Sequence, residues 1–108
     1  TNPIIIFPDK IQNDYKSLAS KFAKSITVGS GQFCTNPGMI ISTKGNGINK
    51  FIESLSSELN GIEPSCMLHP NILSAYKSNA HLATSDQDVA ILFNSGLLSG
   101  CIFFIIFL

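Results

Sequence analysis

Apolar residues change their spacing several times along this chain, and each change marks a different element. Ile4-Ile5-Ile6-Phe7 is a continuous apolar run closed by Pro8. A run without alternation suits a strand covered on both faces, as in a parallel sheet. Behind it, Ile11, Tyr15, Leu18, Ala19, Phe22, Ala23 and Ile26 recur at helical spacing, and Lys16, Lys21 and Lys24 fall mostly off that stripe. Asp9 stands at an N-cap position with Gln12 three residues on, the spacing of a capping box, and Gly29 supplies a stop.

Small residues then dominate from Gly29 to Gly38, and Met39-Ile40-Ile41 reads as a second short buried strand. After Lys44-Gly45-Asn46-Gly47, a second amphipathic stripe runs through Ile48, Phe51, Ile52, Leu55 and Leu59 and ends near Gly61. Strand, helix and strand in that order form a βαβ unit, whose strands are parallel with a right-handed crossover. A third helix is expected to start near Pro70 and to use Ile72, Leu73, Tyr76 and Ala80. The fold class this implies is α/β, with a short parallel sheet and a third helix.

The last twenty residues, Val89 to Leu108, carry no charge and end in Ile102-Phe103-Phe104-Ile105-Ile106-Phe107-Leu108. Such a stretch suits a buried strand, a membrane-spanning helix, or sequence from a truncated or shifted reading frame. It reaches the roughly 20 residues a bilayer crossing needs. Asn94, Ser95, Gly96, Ser99 and Gly100 interrupt it, however, and no basic residue flanks it. Left exposed to water, it is an aggregation hazard.

Charge narrows the function. Only 13% of the 108 residues are charged, against about 25% in an ordinary soluble domain, so part of the surface is expected to lie against something else. Net charge is zero and there is no Arg, which argues against nucleic-acid partners and removes the bidentate grip on phosphate. Cys34, Cys66 and Cys101 are too few and too scattered for a disulfide framework, and no secretory signal pattern is present. A reducing, cytoplasmic setting is the default expectation.

The chemistry concentrates in Gly29-Ser30-Gly31-Gln32-Phe33-Cys34-Thr35-Asn36-Pro37-Gly38. Glycines ahead of a cysteine let the backbone turn tightly and present the sulfur, and a thiolate forms covalent acyl intermediates readily. Against this, most lone cysteines are small buried apolar residues. Gly29-x-Gly31 is no dinucleotide fingerprint, because the third glycine position holds Cys34 and the loop follows a helix. Cys66-x-x-His69 has zinc spacing but lacks a second ligand pair. Asp86 and Asp88 sit in a Ser-containing acidic turn, where solvated loop residues are the simpler reading.

Gly31-Gln32-Phe33-Cys34-Thr35-Asn36-Pro37-Gly38 resembles the cysteine signature of the aldehyde dehydrogenase superfamily, especially the branch acting on 2-oxoglutarate semialdehyde. Asn2-Pro3-Ile4-Ile5-Ile6-Phe7 is similar to the strand that opens the family's catalytic domain. The likeness holds from Asn2 to Leu59, continues through Tyr76 and fades beyond Ala83. It implies a catalytic-domain fragment over residues 1–83, part of a three-layer α/β domain, followed by a divergent apolar tail over 84–108.

The resemblance also implies roles. Cys34 attacks the aldehyde carbon, hydride leaves to NAD or NADP, and water hydrolyses the resulting thioester; the backbone N–H of Cys34 helps hold the oxyanion. Phe33 and Thr35 line the substrate tunnel, while Gly31 and Gln32 shape the loop. The family's general-base glutamate, its oxyanion-hole amide and its dinucleotide-binding domain are not found in this sequence. The expectation is therefore a catalytic unit that is inactive alone. The parent family also implies homo-oligomers. The competing hypothesis is a small non-catalytic protein whose residues 89–108 anchor it in a membrane or drive aggregation.

Overall fold

The computed structural model describes residues 2–63, 65–91 and 106–107. It falls into two compact units, Thr1–Ile62 and Glu63–Leu108. The first unit contains β1 (Pro3–Ile5), α1 (Pro8–Thr27), a 3-10 turn (Val28–Gly31), β2 (Met39–Ile41) and α2 (Asn46–Asn60). Strands β1 and β2 are parallel, with Pro3 opposite Met39, Ile4 opposite Ile40 and Ile5 opposite Ile41. Pairing runs one residue further, because the N–H of Ile6 donates to the carbonyl of Ile41 at 2.9 Å. Ser42 Oγ donates to the Ile6 carbonyl at 3.0 Å and closes that end. The expected α/β order of strand, helix and parallel strand is the observed one.

Helices α1 and α2 pack on each other through the stripes visible in the sequence. Ile11, Ala19, Ala23 and Ile26 from α1 are buried, as are Phe51, Ile52, Leu55 and Leu59 from α2. Burying each of the Ile, Leu and Phe side chains contributes about 1.5–3 kcal/mol, and each Ala less. Ile6 joins them from the end of β1, at 6% exposure. The glycine at position 47 lets the two helices begin close together, since a Cβ there would stand 3.0 Å from Ile11 Cγ2.

Two sequence expectations need correction. Asp9 does not cap α1: the N-cap is Phe7, Pro8 occupies the first turn and no side chain caps the helix. Proline fixes a helical φ and has no N–H needing a cap, so the helix starts ahead of Asp9. The carbonyl of Phe7 takes the N–H groups of Lys10 and Ile11 at 3.1 and 3.2 Å. Second, the Ile4–Phe7 run is not covered on both faces. Ile6 is buried, whereas Ile5 is 64% and Phe7 71% exposed. Side chains along a strand alternate between faces, and within this unit only one face of the run is covered.

Helix α1 is also not continuous. Asp14 has φ −147° and ψ 28°, outside the helical region, and marks a kink. There Asn13 Nδ2 donates to the carbonyl of Asp9 at 2.8 Å, so a side chain takes an acceptor that the regular ladder would use. Lys10 Nζ donates to Asp14 Oδ2 at 2.9 Å across the same turn.

In the second unit, α3 (Pro70–Thr84) begins at the predicted proline. His69 caps it, with Nδ1 accepting the N–H of Asn71 at 3.1 Å. No α3 residue is buried: Leu73, Tyr76 and Ala80 are half-buried and Ile72 is exposed. Beyond it, β3 (Val89–Ala90) pairs antiparallel with β4 (Ile106–Phe107), Val89 opposite Phe107 and Ala90 opposite Ile106. The expectations for the apolar tail fall mostly on residues 92–105 and 108, which lie outside the described residues. Among the described residues, no helix is long and apolar enough to cross a membrane.

Candidate active site

The cysteine loop is built on a run of left-handed backbone. Gly29, Ser30 and Gly31 have φ of 57°, 55° and 71° in succession, which turns the chain sharply as it leaves α1. Glycine adopts this region at little cost, whereas a residue with a Cβ pays roughly 1–2 kcal/mol, so Ser30 is the strained member. Gln32 folds back over the turn, with both its backbone N–H and its Nε2 donating to the carbonyl of Gly29, at 3.1 and 3.0 Å. A Cβ at Gly29 would sit 3.4 Å from the ring of Phe33.

Cys34 lies at the tip of a second turn. The N–H of Asn36 donates to the carbonyl of Phe33 at 3.0 Å, which makes Cys34 and Thr35 the two central residues of a β-turn. Cys34 is exposed, and so are Phe33 and Thr35 on either side. Pro37, just after the turn, is buried and leads the chain into β2. Among the described residues the backbone N–H of Cys34 makes no hydrogen bond. One residue thus presents both an accessible sulfur and an uncommitted N–H donor.

Two asparagines fix this turn to the rest of the unit. Asn36 Nδ2 donates to the carbonyls of Ile26 and Gly31, at 2.9 and 2.8 Å. Asn2 Nδ2, one residue ahead of β1, donates to the carbonyls of Cys34 and Asn36, at 2.7 and 3.2 Å. Sequence reasoning gave neither asparagine a role. The available signal was chemical only: asparagine is among the residues whose short side chain bonds readily to nearby backbone.

The remaining candidates lie in the second unit. Cys66 is exposed in the second unit, and the Nδ1 of His69 is engaged in capping α3. Among the described residues no group of three His, Cys, Asp or Glu side chains could hold a metal ion. Asp86 Oδ1 accepts the N–H of Asp88 at 3.0 Å, an Asx turn in which both residues are exposed.

Comparison with known proteins agrees with the family resemblance. No protein-family profile matches the chain. Over 78 residues it is 33% identical to alpha-ketoglutaric semialdehyde dehydrogenase 2 of Azospirillum brasilense, covering 71% of this chain and 15% of that protein. Over 86 residues it is 29% identical to alpha-ketoglutaric semialdehyde dehydrogenase of Acinetobacter baylyi (strain ATCC 33305 / BD413 / ADP1), covering 80% of this chain and 16% of that protein. These matches make the chain similar to a segment of the aldehyde dehydrogenases. Within that superfamily, the resemblance is to the alpha-ketoglutaric (2-oxoglutaric) semialdehyde dehydrogenase branch. The chain spans about one-sixth of the length of these relatives, by the shares just given.

Proposed function

We propose that this chain carries the nucleophile of an aldehyde-oxidising enzyme, with Cys34 as the group that captures the aldehyde. The observation supporting this most strongly is the placement of Cys34 at an exposed turn tip with its own N–H uncommitted. Addition of the thiolate to a carbonyl carbon places negative charge on oxygen, and a backbone N–H within reach stabilises that charge as it develops. Phe33 and Thr35, exposed beside Cys34, are assigned to contact with the substrate, and Gly31 and Gln32 to shaping the loop. The names of the relatives favour a semialdehyde, a molecule with a carboxylate at its far end.

NAD or NADP is the hydride acceptor in the family. The cysteine loop is not assigned as the cradle for it. The glycine turn at Gly29–Gly31 leaves a helix and leads to β2, whereas a dinucleotide loop leaves a strand and opens a helix. By resemblance to the family, cofactor binding is assigned to the whole protein, as are homo-oligomer formation and a cytoplasmic location. This chain's own residues account for capture of the aldehyde.

The test compares Cys34 with Cys66, both exposed among the described residues. Exposure alone does not separate them. Iodoacetamide labelling followed by peptide mass spectrometry, with and without a small aldehyde, is expected to show protection at Cys34 and none at Cys66. Equal protection of both would remove the reason for assigning a role to the loop.

A further inference from the structure

We infer that Asn2 and Asn36 are positioning residues for Cys34, holding its turn in the geometry that captures an aldehyde; this rests on Cys34 being the nucleophile. Two side-chain amides bond four carbonyls around the cysteine, those of Ile26, Gly31, Cys34 and Asn36. Asn36 ties the turn back to the end of α1, and Asn2 ties it to the start of β1, 32 residues away from Cys34. Asn2 is exposed and Asn36 half-buried, so water could serve the same carbonyls. What water cannot supply is a fixed direction. The shortest of the four bonds, 2.7 Å, falls on the carbonyl of Cys34 itself and fixes the peptide plane that follows the sulfur-bearing residue. The turn bond from Asn36 N–H to the Phe33 carbonyl constrains the preceding side.

This matters for one step in particular. When Sγ adds to the aldehyde, an S–C bond forms and the carbonyl π bond breaks. The electron pair moves to oxygen, which takes a proton from water, and no oxidant is consumed. Sγ and the N–H of Cys34 must then face carbon and oxygen of the same carbonyl, a requirement that simple alkylation lacks. Loosening the turn should weaken aldehyde capture and leave alkylation alone.

The experiment uses the full 108-residue chain and propanal as the probe. Site-resolved mass spectrometry follows alkylation of Cys34 by iodoacetamide as propanal is raised, across a range of pH. Asn2→Ala removes both Asn2 bonds and is expected to raise the half-protecting propanal concentration roughly tenfold, about what loss of the orienting bond to the Cys34 carbonyl costs. The propanal-free alkylation rate and its pH profile stay as in the native chain. Asn2→Gln, which keeps the donor on a longer arm at an exposed position, recovers most of the protection. Asn36→Ala follows Asn2→Ala; where circular dichroism shows it unfolded, the two Asn2 variants decide. A purely structural role would lower thermal stability without separating aldehyde capture from alkylation, and that result overturns the inference. Native-like protection in Asn2→Ala overturns it as well. If the native chain itself is unprotected, the assignment of Cys34 fails first, and this one with it.

Discussion

The ring of Phe22 meets that of Phe51 edge-on, with centroids 5.8 Å apart and planes at 85°. This contact joins α1 to α2 at the centre of the first unit, and Phe51 is 1% exposed. Edge-to-face pairs add about 0.5–1.5 kcal/mol to the area they bury. Phe51→Ala should therefore cost about 3–5 kcal/mol, from lost transfer energy and the cavity left behind. Phe22→Ala should cost less, because its ring is only half-buried. Urea denaturation followed by circular dichroism measures both, and an equal or reversed ranking would contradict this packing.

Gly47 sits where α2 begins against Ile11. Alanine is intrinsically the better helix former, by about 1 kcal/mol. Here a Cβ would lie 3.0 Å from Ile11 Cγ2, and Ile11 is fully packed at 1% exposure. Overpacking of this kind typically costs about 1–3 kcal/mol, so Gly47→Ala is expected to destabilise the unit by about 1 kcal/mol net. A rise in urea midpoint would show that Ile11 can move aside.

Asp14 links stability to pH. The hydrogen bond from Lys10 is the main influence holding its carboxyl below the usual 3.8; the charges of Lys10 and Lys21 and a bond from Ser17 assist, and desolvation opposes them. A carboxyl that titrates lower in the folded state stabilises it above the unfolded value, and that contribution disappears as pH falls through the lowered one. The pair is exposed, so the effect is small. Comparing urea midpoints of the native chain and Asp14→Asn from neutral into acid should show a native advantage that starts to shrink near 3.8 and is lost as pH falls through the lowered value. A difference that does not change with pH would exclude the linkage.

The helical stripes were the most legible part of the sequence. In α2, four residues of the apolar stripe, Phe51, Ile52, Leu55 and Leu59, are buried, because a period of 3.6 leaves little choice of face. Parallel pairing of β1 and β2 also followed from element order, since a helix between two short strands favours it. The kink at Asp14 was not legible: it depends on Asn13 and Lys10 finding particular partners, and no glycine or proline announces it. Coverage of β1 on one face was missed because a continuous apolar run has no periodicity to reveal which side is covered. At the site, the glycine turn and Cys34 could be read locally. The support from Asn2 could not, because its bonds cross 32 and 34 residues of chain.

The most direct test of the account is carbon-13 NMR with an aldehyde labelled at its carbonyl carbon. Adding the native chain is expected to convert part of the carbonyl signal into a thiohemiacetal signal, and Cys34→Ser should abolish that new signal while Cys66→Ser leaves it. A thiohemiacetal signal that survives Cys34→Ser, or its absence with the native chain, would contradict the assignment of Cys34 as the nucleophile.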